Sequence, residues 1–240
     1  MVGINISPII ILIWWMPGIW RILIVFGLIY KKYSACYNVE IRKRVVEKGM
    51  SIMNLIKSIE NFTPHNPQEV QDKQEFLRRL KSGEELFTRD NASAHITASA
   101  WVVNQDHTKV LMVYHNLYDS WSWLGGHADG DQDLLKVAKK EVQEESGLES
   151  IKEVISDIFS LEILPVNGHV KKGQYVSSHL HLNVTYLLEA DELQSVRIKE
   201  DENSNVGWFG LDEAIEKSSE PWFKERIYSK LNEKLRMLKI

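Results

Sequence analysis

Apolar positions change their spacing along the chain, and each change predicts a different element. From Ile9 to Tyr30 they run almost unbroken: 22 of the first thirty residues are apolar or aromatic, and only Arg21 is charged. That run has the length of a membrane-spanning helix, with Lys31 and Lys32 directly after it. Farther on, Asn66-Pro67-Gln68-Glu69 supplies an N-cap, a proline at the first turn and an acid at N3, and Phe76, Leu77 and Leu80 recur at helical spacing before Gly83. A helix over 67–81 follows. His95 to Val103 and Lys109 to His115 are β-branched and apolar runs joined by the polar Asn104-Gln105-Asp106-His107, which predicts a β-hairpin. Trp121 to Leu124 reads as a short strand, Leu134 to Ser146 as a helix, and Ile151 to Leu164 and His179 to Glu189 as strands. A loop around Asn167-Gly168 and Lys171-Lys172-Gly173 joins the last two. Val206 to Phe209 predicts a final strand, Leu211 to Lys217 a helix, and Trp222, Phe223, Ile227, Leu231, Leu235 and Leu238 form one helical stripe after Pro221. Strands and helices alternate, so the class is α/β (α+β) with a mixed sheet.

Composition divides the chain. Its 240 residues are 44% apolar and 26% charged, enough for a sizeable core and unlike a disordered or disulfide-stapled chain. Cys36 has no partner for a disulfide, which points to a reducing, cytoplasmic compartment. The net charge of −4 gives no clustered basic surface for nucleic acid. It conceals a balance of +5 over residues 1–49 against −9 over the rest. Three readings fit the leader 1–49. One is an N-terminal anchor holding the remainder in the cytoplasm, although Pro17, Gly18 and Arg21 fall near mid-span, where a charge costs roughly 2.5–3.5 kcal/mol. A cleaved signal peptide fits worse, because no basic stretch precedes the apolar run and no clear cleavage site follows it. The third is translation of upstream DNA, with the start at Met50 or Met53. Residues 50–87 then form an N-terminal helical segment and 88–240 the main domain, so a membrane is a partner only if 1–30 is a real segment.

The chemistry concentrates where a glycine-containing stretch meets a helix. After Leu124-Gly125-Gly126-His127, where the glycines predict a tight loop with close backbone approach, Asp131 or Asp133 can cap a helix that ends at Gly147. Glu141, Glu144 and Glu145 stand at i, i+3 and i+4, so three carboxylates share one patch, and like charges at that spacing oppose the helix unless a cation balances them. Lys140 balances part. Hard oxygen ligands on one rigid helix suit Mg²⁺ or Mn²⁺. The bland alternative is a solvated acidic face.

Gly126 to Leu148 fits the pattern G-x5-E-x7-R-E-U-x-E-E-x-G-U, U being apolar, at Gly126, Glu141, Val142, Glu144, Glu145, Gly147 and Leu148. In this the chain resembles the Nudix hydrolases, over 23 residues closely and over 88–215 more loosely. The resemblance implies a Nudix fold, a mixed β-sheet sandwiched between helices. It implies Glu144 and Glu145 as the main metal ligands, Glu141 as a further ligand or the positioning group, the Gly126 carbonyl as an additional ligand and Lys140 as support of the cluster, and water attack on a phosphoanhydride in a small-molecule, nucleotide-type diphosphate. Two positions depart: Gln132 replaces a glutamate, and Lys140 replaces an arginine whose planar fork holds carboxylates bidentately.

Other residues admit two readings. His95 and Thr97 alternate on one strand and His179 and His181 on another, so each pair faces one side. These histidines, and His127 beside Gly126, could touch phosphates or a base, or be hydrogen-bonded strand residues. Trp123, with Trp121, Tyr118 and Trp208, could stack on a base or belong to the core. Glu200, Asp201 and Glu202 could be a solvated loop or add a ligand. Two competing functions are a nucleotide-sensing module that keeps the fold, and an isopentenyl diphosphate isomerase-like enzyme, whose cysteine has no counterpart here outside the leader.

Overall fold

The computed structural model describes residues 5–6, 9–10, 51–171 and 173–238. The chain forms two units, Met1–Met50 and Ser51–Ile240. In the first, β1 (Asn5–Ile6) and β2 (Ile9–Ile10) pair antiparallel. Of the anchor expected over Ile9 to Tyr30, all but Ile9 and Ile10 lies outside the described residues, as do Cys36, the candidate start Met50 and Lys172, whereas the other candidate start, Met53, lies within the described 51–61 helix. No helix among the described residues is long and apolar enough to cross a membrane.

The second unit opens with α1 (51–61) and α2 (Pro67–Ser82). The predicted caps of α2 form: Asn66 Oδ1 accepts the Glu69 N–H at 2.9 Å, and Gly83 adopts φ 80° at the C-terminal end. Then come β3 (Ala94–Val103), β4 (Lys109–His115), β5 (Ser120–Ser122), β6 (Leu124–His127), α3 (Leu134–Ser146), β7 (Lys152–Glu153), β8 (Ser160–Val166), β9 (His169–Lys171), β10 (Gln174–Val176), β11 (His179–Glu189), β12 (Asn203–Gly210) and α4 (Leu211–Lys217). The chain ends in a π-helical stretch, Phe223–Tyr228, continued by α5 (Ser229–Met237).

One sheet runs β12-β4-β3-β11-β7, with β5 on β4, β6 on β3 and β8 on β11. β3 and β11 are parallel and the other pairings antiparallel, so the sheet is mixed. Alternation on the two central strands sorts the core. Ala94, Ile96, Ala98, Ala100 and Val102, with Leu182, Val184, Tyr186 and Leu188, pack in one cluster with Ile59 of α1, Phe76 of α2 and Val137, Ala138 and Val142 of α3. The opposite face is apolar only at its far end, where Trp101, Val103 and Leu187 meet Ala214, Ile227, Tyr228 and Leu231. Trp101 stacks on Tyr228 with centroids 5.3 Å apart. The sheet is therefore sandwiched between helices, as the Nudix resemblance implies.

Several boundaries differ from the sequence reading. β3 and β4 share a single register pair, Val103 with Val110, because β6 takes the edge of β3 beyond it. The stretch Trp121–Leu124 divides between β5 on β4 and β6 on β3. Ile151–Leu164 is broken into β7 and β8 by the polar segment Ser156-Asp157. The loop after β8 carries the β9–β10 ribbon. Trp222 of the expected C-terminal stripe is exposed.

Candidate functional site

Gly125 and Gly126 are strand residues rather than a loop, opposite Ser99 and Ala98 in the β3–β6 register. Their close approach is nevertheless real. A β-carbon on Gly125 would stand 2.6 Å from the Ala98 carbonyl oxygen, and one on Gly126 would stand 2.6 Å from Cδ of Glu141. Helix α3 lies across this strand, capped by Asp133, whose side chain accepts the Lys136 N–H at 3.1 Å, and closed by Gly147 at φ 76°. Val137, Ala138 and Val142 bury one face, which turns Glu141 and Glu145 toward the glycines. Glu145 Oε2 accepts the Gly125 N–H at 3.0 Å, and Asn203 Nδ2 donates to the Glu145 backbone carbonyl at 2.9 Å, tying β12 to the same point.

The three carboxylates sit in unlike surroundings. Glu145 is buried, and that burial pushes its carboxyl up to about 8. Burial also raises Glu141. Glu144 is held below the usual carboxylate range by Lys140, which bonds it at 3.0 Å. Lys199 reaches Glu144 at 3.5 Å and Glu202 at 2.9 Å. Two acids whose ionisation burial disfavours, beside a third that neighbouring lysines favour in its charged form, make an oxygen donor set that a divalent cation would stabilise. The residues present thus fit such an ion, which Glu141, Glu144 and Glu145 could hold.

The histidines converge away from these acids. His181 stands opposite His95 in the β3–β11 register and His127 opposite Thr97, while His179 lies two residues before His181. Ring centroids of His95 lie 5.0 Å from His127, 4.8 Å from His179 and 5.0 Å from His181. Burial lowers His95, takes His127 down to about 3 and His181 down to about 2, so these rings are neutral near pH 7.

A family model for the NUDIX domain matches residues 93–231, more than half of the chain. The chain belongs to the NUDIX domain family. Solved structures with similar folds include the Ap4A hydrolase of C. elegans in a binary complex, at 18% identity over 59% of this chain and 94% of that chain, with a TM-score of 0.43. A MutT protein from Methanosarcina mazei Go1 is 15% identical over 57% of this chain and 92% of that chain, with a TM-score of 0.45. The E. coli dihydroneopterin triphosphate pyrophosphohydrolase is 13% identical over 61% of this chain and 97% of that chain, with a TM-score of 0.44. Curated protein sequences gave no match.

In this Nudix domain Gln132 does not join the acids. It lines a cavity of about 310 Å³ with Asn54 and Ser58 of α1, Ser156 and Tyr186, and none of Glu141, Glu144 or Glu145 borders it. Trp123 is not brought to the site either: it packs edge-on against Phe223 and Tyr228, each 5.9 Å away. Trp121 lies edge-on to Phe209 at 4.7 Å, Trp208 is partly buried against the core, and Tyr118 lies over His115 at 4.4 Å. Two basic residues escaped the sequence reading. Lys199 lies some fifty residues beyond the box, and Arg89, paired with Asp129 at 2.7 Å, precedes β3. Neither belongs to a motif; only the three-dimensional approach reveals them.

Proposed function

We propose that this Nudix domain is a divalent-metal-dependent pyrophosphohydrolase, cleaving the phosphoanhydride of a nucleoside diphosphate linked to another moiety by attack of water at phosphorus. The observation that carries the reading is the seating of Glu141 and Glu145 against a strand whose two glycines admit them, with Glu144 beside them on the same helix. Mg²⁺ or Mn²⁺ there would neutralise diphosphate oxygens and lower the pKa of the attacking water. The chain's own part is positional. Gly125 orients Glu145 through its N–H, and the ammonium groups of Lys140 and Lys199 keep Glu144 ionised. The same ammonium groups lie where an anionic substrate would approach half-exposed Glu144.

The test is Glu144→Gln and Glu145→Gln against the unmodified protein on any substrate turned over. Each should lower turnover beyond the roughly 10–100-fold that loss of a ligand-supporting neighbour costs, with the far-UV spectrum unchanged. Retained turnover in either variant refutes the assignment.

A further inference from the structure

Four of the eight histidines meet on the face of the sheet that points away from α3. Gly126 pairs with Ala98, whose side chain lies in the cluster with α3, whereas the next residue, His127, pairs with Thr97 on the other side. The imidazoles and the box carboxylates are therefore separated by the sheet.

Hydrogen bonds fix how two of these rings are protonated. A backbone carbonyl can only accept, so His95 Nδ1 carries the proton it donates to Asn91 O at 3.2 Å, and His179 Nδ1 the proton it donates to Ser177 O at 2.8 Å. In its neutral form each ring then keeps a bare lone pair on Nε2. His179 Nε2 meets His181 Nε2 at 3.2 Å, while His95 is 5% exposed and its Nε2 has no partner among the described residues. An unsatisfied buried acceptor costs roughly 1–3 kcal/mol, which an apolar residue would avoid. A backbone carbonyl holding Nδ1–H is also the usual second partner of a metal-ligating histidine.

Distances agree. Ligand nitrogens of His95, His127 and His181 lie within 4.8 Å of one another. Bond lengths of about 2.0–2.1 Å to Zn²⁺ place tetrahedral ligands about 3.3 Å apart, so the His179–His181 edge already has that length and the others close by a side-chain adjustment. The nearby Arg89 charge is neutralised by Asp129, so it does not bar a cation. We propose that His95, His127, His179 and His181 form a binding site for a transition-metal ion of the Zn²⁺ class, distinct from the carboxylate cluster. Imidazole selects such ions over Mg²⁺.

The site stands independently of the proposed hydrolysis, and its test reads no turnover. Untagged full-length protein, stripped with chelator, is titrated with Co²⁺ as an optical stand-in for Zn²⁺. In excess Mg²⁺, which occupies the carboxylates, the expected result is one equivalent bound per chain, with visible d–d absorption that Zn²⁺ abolishes and Mg²⁺ does not. His127→Asn and His181→Asn, both at partly exposed positions, should each weaken binding at least about tenfold, with folding checked by circular dichroism. Glu144→Gln should leave it unchanged. If either histidine variant fails to fold, displacement by Zn²⁺ but not Mg²⁺ and the indifference of Glu144→Gln still decide. Absence of stoichiometric Co²⁺ binding, displacement by Mg²⁺, persistence in both folded histidine variants or loss in Glu144→Gln overturns the site.

Discussion

Two adjacent glycines do different work at the residue scale, and substitution separates them. The missing β-carbon of Gly126 faces the end of a flexible carboxylate, whereas that of Gly125 faces the backbone of Ala98 and Ser99. Gly126→Ala should therefore push Glu141 aside and abolish most turnover while changing stability by no more than about 1 kcal/mol in urea unfolding. Gly125→Ala must instead move a paired strand and should destabilise by about 1–3 kcal/mol. Equal stability losses would contradict this division. Lys140 is a milder case: its ammonium already bonds Glu144, so Lys140→Arg should fold normally and retain turnover, and Lys140→Met should lower it.

Helix α3 was legible at the scale of elements because local chemistry fixes it. The cap, the apolar face and the terminal glycine all lie within the segment, and Asp133→Ala should destabilise by about 1 kcal/mol on thermal unfolding. The alternation of His95 with Thr97 and of His179 with His181 was equally visible, but their convergence was not. It depends on the parallel pairing of β3 with β11, strands more than eighty residues apart, which no local pattern encodes. The same limit explains the hairpin. The turn between β3 and β4 was read from its polar residues, yet β6, β11 and β12 take most of the pairing that a simple hairpin would have used. Lys199 and Arg89 were illegible for a related reason, since a single basic residue in a loop carries no period.

Across the whole molecule, a buried ionic network joins the first helices to the last. Lys230 of α5 bonds Glu162 at 2.9 Å and lies 3.3 Å from Glu69 of α2, and Lys234 bonds Glu69 at 2.9 Å. Burial alone would raise the Glu69 carboxyl, but Lys230 and Lys234 outweigh it and hold it below its ordinary value. A depressed folded value contributes stability that is present above the unfolded value, about 4.3, and is lost as pH falls through the folded one. Denaturant unfolding should thus show stability falling below about pH 4. Glu69→Gln should remove roughly 3 kcal/mol at pH 7, because Lys230 stays buried with one acid fewer, and should flatten the acid dependence. The central claim concerns chemistry, and one measurement meets it directly: product analysis of ADP-ribose, a dinucleotide, a modified nucleoside triphosphate and a sugar nucleotide incubated with the protein and Mg²⁺ or Mn²⁺, with Glu144→Gln as the blank. The account predicts metal-dependent release of two phosphate-bearing fragments from at least one of them, absent in the blank. Binding of these compounds without cleavage under any metal condition would contradict it and mark the domain as a sensor.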